Sequence, residues 1–381
     1  MERIYRRRRL RSTCRLRSTE IFRRSPWPAA PALPECGVAG PHGESHAPPE
    51  RRERRARHRS GRPLHRSPGP GDPPPPAGEA PPGDAAHGPP AVLLCVHGQS
   101  IPSPVCYDFP LPGYSWMDYA AARGFDVFAL SVRGYGLSTR PPQLGRGPGD
   151  EPPAVRGPTA ARDIEAAVRF ICERREVDRL NLLGWSWGTT TTAAYCAAHG
   201  RRVARLALFA PFYAYDDPAS AARLEDPARP GRLDPGFGAW RWVTERSQRE
   251  RWDGSIPRGR RSRWREERAA KRFWTEQVRY DAKGRRRRPP GVRIPNGAMA
   301  DRYDRDRNRP IFDPARIRCP VLLIRGDHDR SSRAQEVARL FGALTASRGK
   351  RCVVLGDGTH FMQFERRREE LFREVQDFLE G

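Results

Sequence analysis

The feature that most restricts this chain is the pentapeptide Gly184-Trp185-Ser186-Trp187-Gly188, which stands where a strand-like run stops and a helical pattern begins. The run LNLLGW over 180–185 is apolar enough for a strand buried on both faces, and WGTTTTAAYCAAH over 187–199 carries small residues that let a helix pack closely. A chain that changes from strand to helix within one residue must turn sharply. Glycines on both sides of Ser186 allow backbone and neighbouring elements to approach that turn. A serine at its apex projects a hydroxyl above the edge of the sheet. The pentapeptide alone recurs by chance; its strand–turn–helix setting makes Ser186 the candidate nucleophile.

Similar runs recur at AVLLCV (91–96), FDVFAL (125–130), VARLALFA (203–210), VLLIRG (321–326) and CVVLG (352–356), with helical patterns between them. Such alternation predicts an α/β fold, a mostly parallel sheet with helices on both faces. Residues 212–310 interrupt the alternation with Trp240, Trp242, Trp252, Trp264, Phe273 and Trp274 among many charges. They read as an inserted, mostly helical cap whose aromatics cover an apolar acyl chain above Ser186. Residues 1–90 hold ERRERRARHRS and GPGDPPPPAGEAPPGD and sustain no apolar period. That composition predicts a disordered extension, dispensable for activity. The domain reading is therefore an extension over 1–90, a core over 91–211 and 311–381, and a cap over 212–310.

A serine hydroxyl needs a base at neutral pH. His360 follows the sixth run in the loop Asp357-Gly358-Thr359-His360, and Arg325-Gly326-Asp327-His328-Asp329 ends the fifth run with two carboxylates. Either acid could orient the histidine. His97-Gly98-Gln99-Ser100 follows the first run, where Gly98 permits a tight turn. The backbone N–H groups of Gln99 and Trp187 are the candidate oxyanion hole, and His97 reads as structural.

At these residues the chain resembles the α/β-hydrolase superfamily. VLLCVHG, Arg133-Gly134-Tyr135-Gly136-Leu137-Ser138, GWSWG, VLLIRGDHD and GTHF stand in that family's order, over about 91–212 and 311–381. The resemblance implies Ser186, Asp329 and His360 as the catalytic set, and it selects Asp329 over Asp327 by its place three residues after Gly326. It departs at Ser131, where the family usually has an aspartate, and the family's two opening strands are not legible upstream of Ala91. The implied activity is hydrolysis of a carboxylic ester, or a related acyl bond, of a small apolar substrate, with no metal or organic cofactor. An acyltransferase using the same residues is the nearest alternative.

The net charge of +25 raises a different reading, a nucleic-acid-binding protein on a hydrolase scaffold, with RRRR at 285–288 as its motive. Only Lys271, Lys283 and Lys350 of the 70 basic residues are lysines. So strong a skew points to GC-rich coding rather than to a polyanion site, and the intact Ser186, Asp329 and His360 argue the same way. The eight cysteines form no C-x-x-C pair; Cys95, Cys319 and Cys352 in apolar runs, and Cys172 and Cys196 in helical patterns, read as small buried side chains. With no membrane-length apolar stretch and no secretory signal, the chain is expected in the cytoplasm, acting on a small molecule. The sequence carries no sign of oligomeric state.

Overall fold

In a computed structural model, residues 12–15, 20–25, 91–149 and 151–381 are described. Eight strands make the main sheet: β1 Ser12–Arg15, β2 Glu20–Arg24, β3 Val92–Val96, β4 Asp126–Ser131, β5 Leu180–Trp185, β6 Val203–Phe209, β7 Val321–Gly326 and β8 Lys350–Leu355. Their spatial order is β1-β2-β4-β3-β5-β6-β7-β8. The first two pairings are antiparallel and the other five parallel.

Alternate side chains of the central strands enter two separate cores, as a sheet covered on both faces requires. Leu94, Val96 and Leu182 meet Ile164, Ala167, Val168 and Ile171 of the helix Gly157–Arg175. Leu93, Cys95 and Leu183 belong to the opposite core, with Trp116 and Met117 of the helix Trp116–Ala121 and Leu371, Phe372 and Val375 of the last helix, Arg368–Glu380. The register aligns the strands' C-terminal ends: Val96 lies opposite Gly184, and Phe209 opposite both Trp185 and Ile324. One edge of the sheet therefore gathers the loops that follow β3, β5, β7 and β8.

Two sequence expectations are corrected. Of the stretch expected to be disordered, residues 12–15 and 20–24 are strand; the remainder of 1–90, apart from Ser25, lies outside the described residues. β2 pairs with β4 along its whole length, Ile21 is buried, Arg23 bonds Asp126 at 2.7 Å and Arg24 bonds Asp108 at 2.7 Å. The arginine-rich composition hid this strand, because its charges are used in ion pairs with the core. Cys352 is exposed rather than buried, since β8 is an edge strand with a single neighbour. The cap is mostly helical, as expected, with helices such as Glu245–Asp253, Glu267–Val278 and Gly297–Asp306, and it also holds two antiparallel ribbons, Glu225–Asp226 with Arg229–Leu233, and Trp240–Thr244 with Gly291–Pro295. No helix among the described residues is long and apolar enough to cross a membrane.

Candidate active site

Ser186 sits between β5 and the helix Trp187–His199 with φ 57° and ψ −124°, a left-handed backbone that costs a non-glycine residue about 1–3 kcal/mol. Packing enforces it. A Cβ on Gly184 would lie 2.5 Å from Thr192 Oγ1, and one on Gly188 only 2.4 Å from the carbonyl oxygen of Val96. The helix start is thus pressed onto the ends of β3 and β5, and the Ser186 N–H donates to the Phe209 carbonyl at 3.0 Å.

The loops after β7 and β8 bring a histidine and a carboxylate to this turn. Ser186 Oγ lies 2.8 Å from His360 Nε2, and His360 Nδ1 lies 2.9 Å from Asp329 Oδ2. All three residues are buried. The other oxygen of Asp329 accepts from the N–H groups of Ser331 and Ser332, at 2.8 and 2.9 Å. Burial pushes the Asp329 carboxyl up, but the charge of His360, its hydrogen bond and the two backbone donors outweigh burial and hold it below the usual carboxylate value. Asp327 does other work: its Oδ1 accepts from the N–H groups of His328 and Gly358, which ties the β7 loop to the β8 loop.

Sequence reasoning missed the support behind His360. Glu365 accepts from Thr359 Oγ1 at 2.5 Å, from the Thr359 N–H at 3.0 Å and from Trp252 Nε1 at 2.8 Å. It thus pins the residue before the histidine to the cap. Burial raises its carboxyl to about 7 against the pull of those donors. Trp185 Nε1 donates to the His360 carbonyl at 3.0 Å, and the Phe212 ring stacks on the imidazole at 5.7 Å. No local pattern marks Glu365, whose role arises from contacts with distant segments.

Gln99 and Trp187 both border one cavity, of about 120 Å3. Trp187 opens its helix, so its N–H is one of the donors that lack an intrahelical partner. Gly98 is required by close approach, since a Cβ there would stand 2.9 Å from Ser186 Cβ. The left-handed backbone belongs to Ser100, at φ 75°. The cap grips this turn: Gln277 Nε2 donates to the Ser100 carbonyl, Arg241 donates to Ser100 Oγ at 3.2 Å, and Gln248 donates to Gln277 Oε1 at 3.0 Å. His97 is fully buried, accepts the Val132 N–H at 3.1 Å on Nε2 and faces the Gly98 carbonyl with Nδ1; burial lowers its pKa to about 4. It is a neutral strut between β3 and the loop after β4.

Ser186 itself does not line the cavity, but Trp187 beside it does. Phe212 and Ser331, which touch His360 and Asp329, also border it. None of the cap tryptophans does. Trp252 and Trp264 join Phe361 and Phe364 in one core, and Trp240 and Trp274 belong to the other. These tryptophans fasten the cap to the body. The cavity walls instead include six arginines. Among the described residues, no group of His, Cys, Asp and Glu is placed to hold a metal ion.

A family model described as the alpha/beta hydrolase fold matches residues 92–367. Among solved structures, the chain is similar to a thermophilic esterase from Thermogutta terrifontis, at 18% identity and a TM-score of 0.51, over 76% of this chain and 89% of that one. It is similar to a bromoperoxidase from Bacillus anthracis at 16% and 0.52, over 77% and 92%. A third is 2-hydroxy-6-oxo-6-phenylhexa-2,4-dienoate hydrolase from Rhodococcus sp. strain RHA1, at 17% and 0.50, over 77% and 91%. At such identities the likeness is one of fold.

Proposed function

This chain belongs to the alpha/beta hydrolase fold family, and from that premise we propose that it is a serine hydrolase that cleaves a carboxylic ester, or a related acyl bond, of a small molecule. The observation that carries this reading is the continuous hydrogen-bonded chain from Ser186 Oγ through His360 to Asp329. Each member supplies a property the reaction needs. Ser186 Oγ attacks the carbonyl carbon while His360 Nε2 takes its proton. Asp329, kept ionised by its two backbone donors, holds the Nδ1 proton in place and stabilises the imidazolium. The negative charge that develops on the carbonyl oxygen meets the N–H groups of Gln99 and Trp187, each worth about 3–4 kcal/mol at such a position.

The tetrahedral intermediate collapses by breaking the bond to the alcohol oxygen, which receives the proton from His360. Water then repeats the sequence: His360 removes its proton, the acyl–Ser186 bond breaks, and the acid leaves with Ser186 reprotonated. Labelling with a fluorophosphonate probe tests the proposal. Covalent modification at Ser186, absent in Ser186→Ala and accompanied by loss of 4-nitrophenyl ester hydrolysis, is the expected result. Hydrolysis that persists undiminished in a folded Ser186→Ala protein would refute it.

A further inference from the structure

The cavity beside the candidate oxyanion hole is unusual in its charge. Six arginines border it and Asp301 is its single carboxylate. Asp301 is committed elsewhere: it accepts from Arg156 Nε at 2.7 Å, from the Gly157 N–H at 2.7 Å and from Trp187 Nε1 at 2.9 Å. Arg305, Arg309 and Arg333 are matched by Asp306, Asp304 and Asp217, and Arg330 is exposed, where water solvates its charge. Arg251, from the helix Glu245–Asp253, makes no ion pair among the described residues; the carboxylate whose charge acts on it is Asp329, already bonded to His360 and two backbone N–H groups, and the Arg251 guanidinium carbon lies 5.4 Å from the Phe361 ring.

The surroundings of Arg251 sharpen the imbalance. Arg241, on the strand Trp240–Thr244, has only neutral partners, Asn296 Oδ1 at 2.8 Å and Ser100 Oγ at 3.2 Å. Arg302 shares Asp306 with Arg305. Burial, with the charges of Arg241 and Arg302 and against that of Asp329, pushes the Arg251 guanidinium down to about 10, so it is still a cation at neutral pH. A partly desolvated cation without a counter-ion is costly, and a bound anion removes that cost. A guanidinium is also the side chain best matched to the two oxygens of a carboxylate.

We propose that this cavity takes an acyl chain ending in a carboxylate, so that the esters cleaved at Ser186 are monoesters of small dicarboxylic acids with Arg251 as the recognition residue. The proposal rests on the hydrolase reading above and adds the substrate class to it. This replaces the apolar acyl group that the cap tryptophans implied in the sequence.

The test compares the full chain's kcat/KM for mono(4-nitrophenyl) glutarate and for neutral 4-nitrophenyl valerate. The glutarate ester is expected to be favoured by at least about tenfold. Arg251→Gln should lower that ratio by a similar factor, and Arg251→Lys should recover part of it. A ratio that Arg251→Gln leaves unaltered overturns the proposal while the hydrolase reading stands. A second arm needs no turnover. Glutarate at millimolar concentration should raise the melting temperature of Ser186→Ala, and should not raise that of the Ser186→Ala, Arg251→Gln double variant. If neither ester is hydrolysed, the hydrolase reading fails and the binding arm alone decides the anion site. No shift with glutarate overturns the proposal, and stronger protection by inorganic phosphate overturns it in favour of a phosphorylated acyl group.

Discussion

Two carboxylates stand two residues apart at the end of β7, and the structure gives them different partners. Asp329 Oδ2 reaches His360 at 2.9 Å, whereas Asp327 bridges backbone donors of two loops. Asp329→Asn is therefore expected to lower kcat by about 10^4, the scale on which loss of the orienting acid acts in serine hydrolases. Asp327→Asn should cost far less, and steady-state kinetics on both variants checks the contrast. Glu365 and Glu336 give a pH effect. Burial raises each carboxyl to about 7, against the donors and cations around it. A carboxyl raised in the folded state contributes stability that is complete below its unfolded value near 4.3 and is lost as pH rises through about 7. Melting temperature should fall across that window, by up to about 1.4 kcal/mol of stability per pH unit for each group. The double variant Glu336→Gln, Glu365→Gln should flatten the profile, as thermal scans from pH 5 to 8 would show.

The element that organises the site is the turn from β5 into the helix Trp187–His199. Its geometry depends on how near the helix comes to β3, and Gly188 sets that distance. Gly188→Ala would place a methyl 2.4 Å from the Val96 carbonyl oxygen and 2.6 Å from that of His97. Backbone has to shift to relieve this, so a loss of about 1–3 kcal/mol or more is expected, together with lost activity because Gln99 and Trp187 move apart. Urea titration and ester hydrolysis on the same preparation check both parts. The cap contributes at this scale through single side chains. Gln277 and Arg241 hold the left-handed Ser100 from one side, and Trp252 holds Glu365 from the other.

At the scale of the whole molecule, the sheet's first two strands lie in the part of the chain least like a folded protein. Asp126, wholly buried, is bonded by Arg23 from β2 and by Arg175 from the long helix. Removing residues 1–82 would strip the outer side of β4, uncover Ile21's neighbours and leave Asp126 with one of its two arginines. Such a truncation is expected to melt at a lower temperature or to aggregate, contrary to the dispensability that composition predicts. A truncated protein with unaltered melting temperature and activity would show that β1 and β2 add nothing. Much of the cap's arginine content is likewise placed by the fold. Cap arginines such as Arg249, Arg265 and Arg293 sit on Glu245, Glu267, Asp253 and Asp281, while Arg251 is left facing the cavity.

The sequence by itself determined the fold class and the position of the strand–turn–helix, because both follow from the period and placement of apolar residues along contiguous chain. It offered Ser186 and His360 as candidates on the same local grounds, and the structure sets them 2.8 Å apart. The family resemblance selects Asp329, and its hydrogen bond to His360 agrees. The tertiary structure decided the rest. That Glu365 supports the loop, that Glu20–Arg24 is a strand, and that the tryptophans fasten the cap instead of lining the cavity all depend on partners distant in sequence. Charge is the clearest case. An arginine reads the same in sequence whether or not an acid pairs with it, and only the folded chain shows that Arg251, beside the cavity, has no ion pair among the described residues.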